Sequence, residues 1–149
     1  MAYDVSATGF SLTVTADKTF AQGFLCTAFA DDADPFDLPA ATVAEVAMNA
    51  NGELVTWSSP QPQVVTINVL PGTDEDMNLM ALLDANTARK GRRAAGDIIT
   101  MVASYGDGAT MTARNGKITQ GSRGMGVASA GRHKSKAYTF AFQDFDYSR

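Results

Sequence analysis

Length, composition and charge confine this chain to few protein classes. It has 149 residues, of which 45% are hydrophobic and 19% charged, and its net charge of −4 at pH 7 argues against a general nucleic-acid binder, which would present a basic domain. One cysteine and one histidine exclude an internal disulfide framework and argue against a Cys/His metal site. We expect neither a transmembrane helix nor a signal peptide, because apolar runs are short and residues 1–10 lack a basic start.

The first half of the chain alternates apolar and polar residues as β-strands do. Residues 10–15 (FSLTVT) and 22–30 (QGFLCTAFA) predict two strands. Residues 42–48 (TVAEVAM) fit a strand or a helix, and we interpret them as a strand because a turn signal follows and residues 53–57 (ELVTW) resume the alternation. The β-branched residues 64–70 predict a further strand, central in the sheet.

An acidic segment, DDADPFDLP at residues 31–39, interrupts this pattern and predicts a loop over 31–41. Its aspartates lack the spacing of a calcium loop. Phe36 and Leu38 within it are apolar, and two interpretations stay open: they fold back onto their own core, or they dock onto a neighbouring subunit. We name as candidate inter-subunit or inter-ring contacts Asp31, Asp32, Asp34, Phe36 and Asp37.

One helix is predicted, at about residues 74–90. Thr73 is a good N-cap, and Asp76 has the spacing of a capping box. The core face is predicted to consist of Leu79, Met80, Leu82 and Leu83. Basic residues follow, and Gly91 is expected to close the helix. The helix dipole accounts for part of this basic run, and a phosphate patch or a protein contact are the alternatives; the candidate outward-facing or sheath-facing residues are Arg89, Lys90, Arg92 and Arg93.

The last third of the chain is predicted to return to β-structure within the same single domain, residues 1–149. Residues 97–105 predict a strand. Asn115-Gly116 predicts a hairpin between residues 109–114 and 117–120. A glycine-rich, basic loop is expected at 121–136, before a closing aromatic strand at 137–147.

Residues with catalytic chemistry are scarce. His133 lies in the glycine-rich loop, and Cys26 lies in an apolar strand, where a buried structural thiol is expected. The glycines of the loop match neither a dinucleotide nor a phosphate motif. We therefore expect no enzyme activity, no cofactor and no metal.

Three segments, residues 4–24, 50–85 and 138–149, resemble in order and pattern the tail tube proteins of contractile-tailed bacteriophages. The resemblance covers roughly half the chain. It implies an antiparallel β-barrel or sandwich covered by the single helix, a fold shared with the tubes of bacteriocins and type VI secretion.

The resemblance also implies self-assembly into stacked, hexameric rings that form a hollow tube for DNA ejection. The implied partners are other copies of the chain, a sheath protein, and baseplate or terminator proteins, with DNA passing unbound and no membrane contact. The implied location is the virion tail, assembled in the bacterial cytoplasm. Acidic residues would then keep DNA from adhering to the channel wall. The alternatives are a baseplate or decoration protein of similar fold and a carbohydrate-binding β-sandwich.

Overall fold

The computed structural model describes residues 5–149. Residues 1–4, the first part of the segment that we expect not to be a signal peptide, lie outside the described residues. The fold is mainly β with one helix, as the sequence predicts. The strands are β1 (Ser11–Ala16), β2 (Phe20–Cys26), β3 (Phe36–Asp37), β4 (Ala44–Met48), β5 (Leu54–Ser58), β6 (Gln63–Val69), β7 (Ile99–Ser104), β8 (Thr110–Gly121) and β9 (Lys136–Ser148). Helix α1 spans Asp74–Ala85.

Seven strands form one antiparallel sheet in the order β2-β1-β7-β8-β9-β6-β3, and β4 and β5 form a separate two-stranded sheet. Within residues 5–149 the edge strands β2 and β3 do not pair with each other, so the sheet stays open and is not a closed barrel. Strand β6 is next to the edge rather than central, because among residues 5–149 only the two-residue β3 and an isolated bridge from Phe29 to Val69 lie beyond it. The acidic segment is thus not wholly a loop: Phe36–Asp37 pairs with β6 at the edge, where Pro35 removes no ladder bond.

The core lies on the face of the sheet that α1 covers, and strand alternation explains it. On β1, for example, Leu12, Val14 and Ala16 are fully buried while the residues between them are half-buried. Helix α1 packs against β2 and β8. The fully buried core side chains include Val65, Ile67, Leu79, Leu82, Met101, Met111, Tyr138, Phe140 and Phe142.

The opposite face of the sheet is rich in hydroxyl groups. The outward positions of β1, β6 and β7 carry no charge; they are Ser11, Thr13, Thr15, Val64, Thr66, Asn68, Thr100, Val102 and Ser104. Rows of hydroxyls run across strands, since Ser11 pairs with Ser104 and Thr15 with Thr100. Charges begin on β8 and β9, where Arg114 lies 4.0 Å from Asp146.

Helix α1 begins as predicted and ends earlier than predicted. The Asp76 backbone N–H donates to Thr73 Oγ1 at 3.3 Å, which makes Thr73 the N-cap. The helix ends at Ala85, and Asn86 caps it with its backbone N–H on Leu82 O. Arg89 and Lys90 therefore lie beyond the helix, and Gly91 (φ 77°) belongs to the turn that follows. At 12 residues, α1 is too short to span a membrane, and no other helix occurs in residues 5–149.

Asp76, which has the spacing of a capping box, is fully buried. Its carboxylate accepts hydrogen bonds from the Gly72 backbone N–H and the Tyr138 hydroxyl, each at 2.9 Å. Lys136 Nζ lies 3.2 Å from Asp76 Oδ1 as an ion pair and has no hydrogen-bond partner within residues 5–149. Burial, followed by the hydrogen bond to Asp76, raises the pKa of Tyr138 far above its ordinary value. This network joins the start of α1 to β9.

Two predictions for the last third are wrong. Asn115-Gly116 makes no hairpin: β8 runs through it, and Asn115 (φ 55°) forms a bulge opposite β7, where the register shifts between Ile99 and Met101. Gly116 fits there because a Cβ would lie 2.2 Å from the Phe142 ring. Lys136 was expected in the mobile loop; it begins β9 and is 1% exposed.

A second buried carboxylate, Asp97, ties three parts of the chain together. It accepts hydrogen bonds from the backbone N–H groups of Lys18 and Thr19, from the Thr19 hydroxyl and from the Asn86 side chain. Burial by itself raises the pKa of Asp97, but the hydrogen bonds from Thr19, Asn86 and Lys18 outweigh it and hold that pKa below its ordinary value. The β1–β2 turn, the end of α1 and the start of β7 are thereby fixed to one another.

Candidate assembly surfaces

Strands β4 and β5 form a hairpin that stands apart from the main sheet, and the sequence supplies its turn. Asn49 Oδ1 accepts from the backbone N–H groups of Asn51 and Glu53, both at 3.0 Å, and Gly52 provides the positive φ of 79°. The strands pair from Ala44–Ser58 at the base to Met48–Leu54 at the tip. One side-chain bond crosses the strands, from Trp57 Nε1 to Glu45 Oε2 at 2.9 Å.

Both faces of this hairpin are apolar and exposed. Val46, Met48 and Leu54 share one face, and Val55 and Trp57 share the other. Every residue of both strands is exposed, with Val46 at 61% and Trp57 at 46%. A two-stranded hairpin is marginally stable by itself in water, and clustered exposed apolar side chains mark interaction sites. The hairpin is thus an apolar arm without cover in the monomer.

The acidic segment, proposed from sequence as a contact to another subunit, is held by its own chain. Arg132 donates two hydrogen bonds at 3.2 Å to the Asp31 carboxylate, and the Ser135 hydroxyl donates to Asp32. The hydrogen bond from Arg132 lowers the pKa of Asp31. The segments 31–41 and 121–136 therefore contact each other, which neither segment predicts alone.

Phe36 folds back onto its own chain, which is the first of the two interpretations left open by the sequence. Its ring centroid lies 5.2 Å from that of Phe10, which also contacts Phe29 and Tyr105 at 5.3 Å each. These rings form a half-buried aromatic cluster. Leu38, the other apolar residue of the segment, is 38% exposed and is not part of this cluster. The candidate contact residues Asp31, Asp32, Asp34 and Asp37 are exposed as well.

The basic run forms a turn after α1. Arg89 and Arg92 exchange backbone hydrogen bonds at 3.0 Å in both directions, around Lys90 and Gly91. Both arginine side chains pair with Asp84, with Arg92 at 3.5 Å. Lys90 and Arg93 are exposed beside them, so the run presents positive charge to solvent. The predicted helix face has two fully buried members, Leu79 and Leu82, and two half-buried ones, Met80 and Leu83.

The reactive residue types do not form a site within the described chain. Cys26 is buried, and burial, with Glu75 nearby, raises its pKa to about 12, so the thiol stays protonated. His133 is exposed in the long loop. Residues 5–149 contain no cluster of three or more His, Cys, Asp or Glu side chains able to hold a metal ion.

Sequence comparison gives the family. The family described as tail fiber protein gp32 matches residues 3–146. The chain belongs to this family. A search of curated protein sequences returned no match.

Solved structures show that this gp32-family chain has the fold found in contractile injection systems, as its resemblance to tail tube proteins implies. A chain of the anti-feeding prophage baseplate, 6-fold symmetrised, matches with a TM-score of 0.61 at 12% identity, covering 99% of this chain and 97% of that one. A chain of an extracellular contractile injection system, from the PVC sheath/tube terminator in the extended state, matches at 0.57 and 13%, covering 100% and 99%. At these identities the likeness concerns the fold.

Proposed function

We propose that this chain is the inner tube subunit of a contractile phage tail, which assembles into stacked hexameric rings around a channel for DNA. It acts structurally, without catalysis or a cofactor. Its contacts are with further copies, with a sheath protein and with baseplate or terminator proteins. Assembly takes place in the bacterial cytoplasm, and the product belongs to the virion tail.

The exposed hairpin is the observation that carries this proposal. Its two apolar faces require cover. Within residues 5–149 a second copy offers the free edges of the open sheet, at β2 and at residues 63–65 of β6, which neither β3 nor the bridge from Phe29 pairs. Ring closure would cover such edges and bury the arm together. The family match to a tail protein and the six-fold symmetry of the baseplate structure support the same arrangement.

The hydroxyl-rich face of the sheet is the candidate channel wall. Threonine and serine side chains offer phosphate no cation, so DNA would pass without adhering. The wall would then be nearly neutral at β1, β6 and β7, and not acidic as the overall charge leads one to expect. The carboxylates lie mostly elsewhere, as in residues 31–37 and 74–76.

A second candidate function is an adaptor ring at the end of a tube. It is favoured by the fold likeness to a baseplate chain and to a tube terminator. An adaptor would form one ring and stop, whereas a tube subunit would continue to stack. The carbohydrate-binding module is not favoured, because the two large exposed aromatic side chains of residues 5–149, Trp57 on the hairpin and Tyr147 on β9, lie on different sheets.

The test replaces an exposed valine of the hairpin. We expect Val46→Asp to prevent association measured by sedimentation velocity, because a charge on the apolar face opposes its burial. The matched control is Val127→Asp, since Val127 is 66% exposed and lies in the loop after β8. Trp57 is the single tryptophan of the chain, and its emission should shift to the blue as wild-type concentration rises.

If Val46→Asp associates as the wild type does, the proposed role of the hairpin in association is contradicted. An emission maximum of Trp57 that stays at its solvent-exposed position while the protein associates would contradict it as well. A single ring that never stacks would favour the adaptor over the tube subunit.

A further inference from the structure

A groove of about 380 Å³ lies along the flank of α1, between the helix and Arg123 of the loop after β8. Its floor is apolar and consists of Met77, Met80, Ala81 and Leu83. Met80 and Leu83 also pack against the core, whereas Met77 is 53% exposed. Methionine side chains are flexible and polarizable, so such a floor adapts to an inserted apolar side chain. We call this feature the methionine groove.

The rim of the methionine groove is positively charged. Arg89 and Arg123 line it together with Asp84. Asp84 is paired with both Arg89 and Arg92, so these three side chains (two positive, one negative) keep one net positive charge, and Arg123 takes part in no ion pair among residues 5–149. Lys90 and Arg93 add exposed charge next to it. The groove is basic although the whole chain has a net charge of −4. A partner with negative charge would complement the groove.

We propose that the methionine groove binds an acidic segment of a different protein, with an apolar side chain on the methionine floor and carboxylates at Arg89 and Arg123. Arginine suits this role because its guanidinium binds carboxylates through two parallel hydrogen bonds. The proposal does not depend on ring formation, because it concerns a surface separate from the hairpin and the sheet edges.

Two other occupants fit the groove less well. A nucleic-acid backbone would use the arginines but gain nothing from the methionine floor. The chain's own acidic segment would offer less in a second copy, since Asp31 is held by Arg132 and Phe36 by Phe10. Its exposed Asp34, Asp37 and Leu38 make a contact between copies one of the outcomes that the test distinguishes. The chemistry therefore points to a segment that pairs carboxylates with an exposed Leu, Phe or Met.

A selection from a random 12-residue peptide display library tests this proposal, with the wild-type protein as bait at about 0.15 M salt. Enriched peptides, synthesised with a fluorescent label, are then measured by anisotropy. We expect acidic peptides with an apolar residue, and binding at least about tenfold weaker to Arg89→Gln/Arg123→Gln. Met77→Ser should weaken binding without any change of charge. The control Arg114→Gln/Lys117→Gln removes the same charge from the opposite face and should bind as wild type.

Several outcomes would overturn the proposal. They are the absence of enrichment, enriched peptides without excess acidic residues, and a control variant that loses as much affinity as Arg89→Gln/Arg123→Gln. Binding of a labelled 20-nucleotide single strand that depends on Arg89 and Arg123 would replace the peptide with nucleic acid. Loss of self-association in Arg89→Gln/Arg123→Gln would make the groove a contact between copies.

Discussion

The buried pair of Asp76 and Lys136 allows a quantitative prediction about stability. Asp76 is fully buried, Lys136 is 1% exposed, and their charged atoms lie 3.2 Å apart. Two substitutions of nearly constant shape remove one charge each, Asp76→Asn and Lys136→Met. Both leave a single charge in the core, but the two charges left behind have different surroundings.

The structure predicts that the two substitutions differ in cost. In Lys136→Met the carboxylate of Asp76 keeps two donors, the Gly72 N–H and the Tyr138 hydroxyl, so we expect a loss of about 1–3 kcal/mol in the free energy of unfolding. In Asp76→Asn the ammonium of Lys136 loses the counter-charge of Asp76 and has no hydrogen-bond partner among residues 5–149, so we expect a loss of about 3–5 kcal/mol. Against a total of about 5–15 kcal/mol, the second loss threatens folding.

Urea unfolding followed by circular dichroism measures both losses, at a protein concentration where the midpoint no longer depends on dilution. Lys134→Met is the matched control, because Lys134 is exposed and lies two residues before Lys136; it should change stability by less than about 0.5 kcal/mol. The reasoning is refuted if Lys136→Met costs as much as Asp76→Asn or more, or if both match the control.

Three further predictions rest on single side chains. The pKa of Asp97 is lower in the folded protein than in the unfolded chain, where it is about 3.9, so ionised Asp97 stabilises the fold above that pH and this stabilisation is lost as pH falls through the folded pKa. We therefore expect Asp97→Asn to reduce the fall of the urea midpoint between pH 5 and pH 2. An unchanged dependence of the midpoint on pH would contradict this. Gly121→Ala should cost about 1–3 kcal/mol in thermal unfolding, since a Cβ would lie 2.6 Å from the Tyr138 ring, whereas Gly124→Ala meets nothing within 4 Å and should be neutral. Cys26 should resist a thiol reagent at pH 8 until urea unfolds the protein, because it is buried with a pKa of about 12; rapid labelling of the native protein would contradict its burial.

Local sequence patterns predicted the elements that depend on local chemistry. Alternation located β1 and β6 within one or two residues, and Thr73 marked the start of α1. The end of α1 was misplaced because basic residues favour a helix end without fixing it, and Asn86 ends the helix through contacts that include distant Asp97.

Features that depend on contacts between distant residues could not be predicted from the sequence. Asn115-Gly116 has the composition of a hairpin turn, but β8 pairs with β9 on both sides of it, so the strand continues through these residues instead of reversing. Lys136 followed a run of polar loop residues, and only Asp76, sixty positions away, explains its burial. The strands of the hairpin were predicted, yet their separation from the sheet was not; the prolines on both sides, at 35–39 and 60–62, were the available signal.

Electron microscopy of the purified wild-type protein at high concentration tests the central claim most directly. The account predicts rings with a central channel that stack into tubes, with the hairpin of each copy covered by a neighbour. A particle that remains a 15.7 kDa monomer at every concentration, with the hairpin in solvent, would contradict it.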